Sequence, residues 1–205
     1  HMEYNEKQFK ALANIRVMIM WASIALVLTT AYIIEFFKGG RTLEYVLVFL
    51  VMCWGPFISG LITLKVKGKD TTIYKEIVSI SYGLFYMFVM LTTNTVLAVI
   101  YVIPVVSTLV LYKDRKLVIR VCIENELLLV ACLIKDHLQG VLTSKIIVDY
   151  EIQFAGMLLY YIACVMAIDY MNKSEKAMLG AVKSNLDRVI TTVEQVKIAS
   201  TAVVD

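Results

Sequence analysis

Charge is scarce in this chain, and so are the residues that interrupt helices. Only 18% of its 205 residues are Asp, Glu, Lys or Arg, where an ordinary soluble domain has about 25%. There are two prolines, Pro56 and Pro104. Both lie within apolar stretches, where neighbouring helices can satisfy the freed backbone groups, so they predict kinks rather than stops. There are two histidines. One, His1, belongs to the His1-Met2 pair, which reads as a cloning scar, and the other, His137, falls in a connection. The four cysteines, Cys53, Cys122, Cys132 and Cys164, sit inside apolar blocks with no CxxC pairing. They read as small apolar residues packed between helices, and no metal is expected. The chain has no HExxH, no Gly-rich phosphate loop and no nucleophile with a base at useful spacing. It predicts no enzyme, no cofactor and no nucleic-acid partner.

What the chain has instead is apolar length. Hydrophobic residues make up 60% of it, with a mean hydropathy of +0.75. They are gathered into blocks long enough to cross a bilayer, which needs about 20 residues per helix. A charged stretch, Glu3 to Arg16, precedes the first block and more blocks follow it, so that block reads as a retained span rather than a cleaved signal. The blocks are about 15–37, 45–64, 77–91, 95–112, 117–134 and 152–171. Basic residues alternate between rich and poor connections. Lys7, Lys10 and Arg16, then Lys65, Lys67, Lys69 and Lys75, then Lys113, Arg115 and Lys116, then Lys173, Lys176 and Lys183 fall on one side. The other side has Lys38 and Arg41, the uncharged turn Thr92-Thr93-Asn94, then Lys135 and Lys145. The positive-inside rule then places six spans in a plasma membrane with both termini cytoplasmic. The expected fold is all-α: a six-transmembrane-helix bundle over 3–171, with the last helix extending into a cytoplasmic coiled-coil stalk over 172–205. The outer connections are too short for a folded extracellular domain. The longest, Lys135 to about Glu151, holds a short interfacial helix at most.

The fifth block carries the costly residues. Arg120, Glu124, Asn125 and Glu126 fall within it, and an ionisable group near the bilayer centre costs about 2.5–3.5 kcal/mol and marks a functional site by default. Arg120 and Glu124 are four apart and can pair. Glu126 points about 200° from Glu124, so no orientation shields all of them from lipid. Trp54, Ser81, Tyr82, Tyr101, Tyr160 and Tyr161 fall at similar depth. With the carboxylates they could line a pocket for a small-molecule or lipid ligand, form a structural hydrogen-bond clamp, or border an ion or proton path. Trp21, Tyr32, Tyr45, Tyr74 and Tyr112 read as interface aromatics.

Past Met171 the composition turns to polar helix formers. Leu179, Val182, Leu186, Val189, Val193, Val196 and Val203, with Ser200, repeat at alternating three and four spacing. This is the seam of a coiled coil, expected to pair two copies as a parallel homodimer. Counted backwards, the register passes Glu175 and Asn172 into Ile168, Val165, Tyr161, Leu158 and Phe154. The polar pair can mark either a continuous helix or a break in register. Because Asp205 falls mid-repeat, an output domain is expected beyond it.

The segment Ser184-Asn-Leu-Asp-Arg-Val-Ile-Thr-Thr-Val-Glu-Gln-Val-Lys-Ile-Ala-Ser-Thr-Ala-Val-Val-Asp205 resembles the start of the cytoplasmic signalling helix of bacterial methyl-accepting chemotaxis proteins, in a multi-span variety without a periplasmic domain. The likeness covers about a tenth of the chain. The helix-loop-helix connector of many such receptors is absent between Met171 and Ser184. The resemblance implies a chemoreceptor sensor that acts on a histidine kinase and its coupling protein. Sensor modules of histidine kinases or diguanylate cyclases share the same logic. An ion- or proton-coupled transporter is the reading from a different class, but the chain shows no inverted repeat of the transporter kind.

Overall fold

The computed structural model describes residues 2–93 and 95–204; His1, Asn94 of the predicted turn and Asp205 lie outside them. Among the described residues the chain is helical with no strand. Its elements are α1 (Met2–Phe37), α2 (Leu43–Lys67), α3 (Tyr74–Thr92), a 3₁₀ segment (Val96–Val102), α4 (Ile103–Leu109), a 3₁₀ turn (Val110–Tyr112), α5 (Arg115–Leu138) and α6 (Ser144–Val204). Four of them, α1, α2, α3 and α6, are long and apolar enough to cross a membrane. This is the composition of a membrane protein.

The helices follow their apolar stripes. On α1 the buried residues are Ala13, Asn14, Val17, Trp21, Ala25, Leu28 and Tyr32, one face of a helix at three and four spacing. The α2 stripe is Val46, Phe49, Cys53, Phe57, Gly60 and Leu64. Gly60 permits a close approach: a Cβ there would stand 3.0 Å from the Tyr74 ring, so the ring would have to shift by a few tenths of an ångström. Thr42 caps α2 by accepting from the Tyr45 N–H at 3.2 Å, and Gly68 (φ 96) ends it. Pro56 is accommodated inside α2, as expected.

The region around Pro104 is less regular than a kinked α-helix. The β-branched run before it forms a 3₁₀ helix, and α geometry begins only at Ile103. Proline has no N–H to donate backwards and crowds the preceding turn. The 3₁₀ rise per residue is larger, so Val96 to Tyr112 reach about 30 Å, where an α-helix of that length would reach about 26 Å. A block short for a spanning helix thus acquires nearly the thickness of a hydrocarbon core. This segment touches α1, α3 and α6, while α2 packs between α1 and α3 and α5 between α3 and α6. Its Val102, Val105, Val106 and Leu109 are buried.

The connection between α5 and α6 is shorter than expected. α5 runs on to Leu138 and α6 begins at Ser144, leaving no interfacial helix between them. α6 is one helix of 61 residues, about 90 Å long. It does not break at Asn172 and Glu175. Asn172 Nδ2 donates to the Lys113 carbonyl at 3.2 Å, and Glu175 pairs with the Lys113 ammonium at 2.7 Å. From Glu175 to Val204 every residue is exposed. Above that point the backward-counted seam needs correction. Tyr161 and Ile168 are buried within their own chain and are not a free face continuous with the stalk.

Candidate functional site

Three tyrosine hydroxyls serve the irregular segment. α3 sends Tyr82 Oη to the Tyr101 carbonyl and Tyr86 Oη to the Val99 carbonyl at 2.9 Å. α6 sends Tyr160 Oη to the Ile103 carbonyl at 2.7 Å, and the same hydroxyl meets Ser107 Oγ at 2.6 Å. A carbonyl without a partner in apolar surroundings costs several kcal/mol. These hydroxyls supply partners where 3₁₀ geometry and Pro104 disturb the helical ladder. Tyr82 and Tyr160 therefore have structural work to do. Tyr86, which sequence reasoning passed over, belongs with them; its signal is its i+4 spacing from Tyr82 beside a proline-containing block.

The predicted site residues fall into three groups rather than one pocket. Trp54 stands apart: its Nε1 donates to Thr29 Oγ1 at 2.9 Å, tying α2 to α1. Arg120 and Glu124 form the second group, on the outside of α5. Their pairing is long, 3.9 Å, and Glu124 is 57% exposed. The stronger partner of Arg120 is Glu76 on α3, at 2.5 Å, with Ser79 Oγ at 3.3 Å. Glu76 was missed because it lies one residue before the apolar block that begins at Ile77.

The third group is the interior one. Asn125 and Glu126 are both buried, at 9% exposure. Asn125 Nδ2 donates to Tyr161 Oη at 2.9 Å, joining α5 to α6. Tyr160 and Tyr161 stack at a tilt, 5.5 Å apart. Glu126 is different from every other candidate, because both its carboxyl oxygens are buried with no hydrogen-bond partner among the described residues. Tyr86 from α3, Cys122 on α5 and Tyr161 from α6 lie within electrostatic reach of it. Tyr101 lends its carbonyl to Tyr82 and is half-buried.

The end of the bundle that carries the stalk is bound by ions and amides. Lys75 of α3 meets Asp114 at 2.6 Å, and Arg115 meets Asp169 of α6 at 3.4 Å. Partial burial works against the Asp114 carboxylate. The Lys75 ammonium and the Leu117 N–H outweigh it and hold that carboxyl below its ordinary range. Asn14 reaches the Lys69 and Thr71 carbonyls at 2.8 and 2.9 Å and receives the Tyr112 hydroxyl at 2.8 Å. At the opposite end Arg41 lies over the Tyr45 ring, 4.3 Å from its centre, and Tyr45 Oη meets Thr92 Oγ1 at 2.6 Å. Among the described residues no group of three or more His, Cys, Asp or Glu could hold a metal ion. The chain matches no protein-family model, no curated protein and no solved structure.

Proposed function

We propose that this chain is a membrane sensor module of the chemoreceptor kind. It crosses the membrane six times with both termini cytoplasmic, binds a small ligand among its helices, and signals through a homodimeric stalk to a kinase-controlling output domain. The observation that carries this reading is α6. A single helix is anchored in the bundle by Tyr161 and Ile168 and projects Glu175 to Val204 fully into the open. Its heptad residues Leu179, Leu186 and Val189 are 53–59% exposed, and a solvated helix with such a stripe is stabilised when the stripe meets another helix. A transporter has no use for such an extension. The alternation of basic residues supports the six crossings. Arg120 is neutralised by Glu76, and the fourth segment gains length from its 3₁₀ geometry, so both of the less regular blocks can lie in a bilayer.

The ion pairs at the end of the bundle that carries the stalk connect input to output. Lys113, in the turn after the fourth segment, and Arg115, the first residue of α5, hold Glu175 and Asp169 near the point where α6 leaves the bundle. A shift of α5 would thus be transmitted to the stalk.

The test is a chimaera. The chain is joined in heptad register, after Val204, to the kinase-controlling domain of a bacterial chemoreceptor. Kinase activity is expected to depend on the bundle, and inserting three or four residues at the junction should change its level. Kinase output indifferent to both the bundle and the insertion, together with solute flux in proteoliposomes, would overturn the reading in favour of transport.

A further inference from the structure

The Glu126 carboxyl is an incomplete arrangement. It is 9% exposed as a residue, and neither oxygen has a hydrogen-bond partner among the described residues. An ionised carboxylate in apolar surroundings needs a cation or several donors. A protonated one still has an O–H and a C=O to satisfy. The titratable groups facing it, Tyr86 from α3, Cys122 on α5 and Tyr161 from α6, are uncharged donors or acceptors, and none is within hydrogen-bonding distance. Tyr86 gives its hydroxyl proton to Val99, and Tyr161 accepts from Asn125. Arg120, six residues earlier on α5, is held by Glu76. The site therefore lacks a positively charged donor.

A second feature leads to it. Between α5 and α6 lies a groove of about 370 Å³ lined by Leu129, Val130, Leu133, Tyr150, Glu151 and Phe154, among others. Leu129, Val130 and Leu133 stand three, four and seven residues after Glu126, on the same face of α5. The groove thus runs along the α5–α6 seam from the end that carries the α5–α6 turn to within one helical turn of the carboxyl. Its walls are aliphatic and aromatic, with the Glu151 carboxylate among its lining residues.

We infer that Glu126 and this groove form a binding site for an amphipathic amine, with the ammonium head on the Glu126 carboxylate and the apolar tail along Leu129, Val130 and Leu133. This rests on the reading of the bundle as a ligand-binding module and names the ligand class. The ammonium supplies the missing N–H donors and the missing charge. The groove, about 370 Å³, has room for an octyl tail. Glu151, as a second negative charge along the route, favours entry of cations over anions.

The probe is n-octylamine, protonated at pH 7. Its binding to the full chain in lipid nanodiscs is measured by equilibrium dialysis against empty nanodiscs, with n-octanol as the uncharged match and Na⁺ as the inorganic rival. A saturable component is expected for octylamine and absent for octanol. Glu126→Gln is expected to remove it, and Leu133→Trp, which fills the groove, to weaken it at least about tenfold, or about 1.4 kcal/mol. Circular dichroism and stalk cross-linking should stay unchanged in both variants. Saturable binding that survives Glu126→Gln and Leu133→Trp would overturn the site. Full displacement by Na⁺, or equal binding of octanol, would overturn the amine in favour of an inorganic cation or a plain apolar groove. Because the dimeric stalk is assayed without amine, loss of the ligand class and loss of the sensor reading are separate results.

Discussion

The two halves of α6 are one helix in two different environments. Before Met171 its inward face is spent on its own chain: Met157, Tyr161, Cys164 and Ile168 are buried, and the Tyr160 hydroxyl supports the backbone at Ile103. After Glu175 nothing of its own chain covers it, and its apolar residues stand open at heptad spacing. The difference is in the polar residues. In the bundle several of them bond across to other segments: Tyr160 donates to the Ile103 carbonyl, Tyr161 accepts from Asn125 and Asn172 donates to the Lys113 carbonyl. After Glu175 they are exposed, and Thr191, Thr192 and Thr201 bond back to carbonyls of their own helix; the open aliphatic stripe is what the proposed homodimer would use. The switch falls where Asn172 and Glu175 bind Lys113, so the polar pair in the register marks the exit from the bundle and not a break in the helix.

The comparison breaks most sharply at the stalk. Leu186→Asp places a charge in the seam of both copies and is expected to cost the dimer about 3 kcal/mol or more. Sedimentation of the detergent-solubilised chain should then show monomers, with helix content of the bundle unchanged. A smaller effect is expected inside the bundle. Tyr86→Phe leaves the Val99 carbonyl without its hydroxyl and should cost about 1–3 kcal/mol. That appears as a lower thermal midpoint, with stalk cross-linking intact. If both substitutions lowered dimerisation equally, the two halves would not be the separate units described above.

The reverse sign is expected at Glu126. Glu126→Leu removes a buried carboxyl that no side chain satisfies, so the ligand-free bundle should unfold at a higher temperature than the parent chain while losing amine binding. The smallest effect is electrostatic. The Lys75–Asp114 pair holds the folded-state carboxyl below its ordinary value. Its stabilisation is therefore complete above the unfolded pKa of about 3.9 and is lost as pH falls through the lower folded value. Asp114→Asn should lower the thermal midpoint slightly at pH 7, by an amount that shrinks as pH falls below about 3.9.

Much of this was legible in the chain itself. The six apolar blocks fall within helical structure, four of them in helices long and apolar enough to cross a membrane, because length and hydropathy act locally. The stalk helix was legible from its three and four spacing. The fourth block was read as a kinked span but is mostly held by 3₁₀ geometry at one end, a choice made by Pro104 together with the tyrosines opposite it. Glu126 was marked by its cost at mid-helix, and the structure sharpened that mark by showing both oxygens without partners. Glu76 was not legible as the partner of Arg120, since the two are 44 residues apart and only the packing of α3 on α5 joins them. Tyr82 and Tyr160 carried the same sequence signal as a ligand-lining residue, and only their bonds to Tyr101 and Ile103 distinguish support from binding.

The most direct test of the central claim is a cysteine cross-linking scan along α6 from residue 152 to 204, in native membranes, with the four natural cysteines replaced by Ala. Beyond residue 172, copies are expected to cross-link fastest at Leu179, Val182, Leu186, Val189, Val193 and Val196 and slowest opposite them, as at Thr191. Before it, Tyr161 and Ile168 should not cross-link, because they are buried in their own bundle. One unbroken cross-linking seam through Phe154, Leu158, Tyr161, Val165 and Ile168, or a stalk with no periodicity at all, would contradict it.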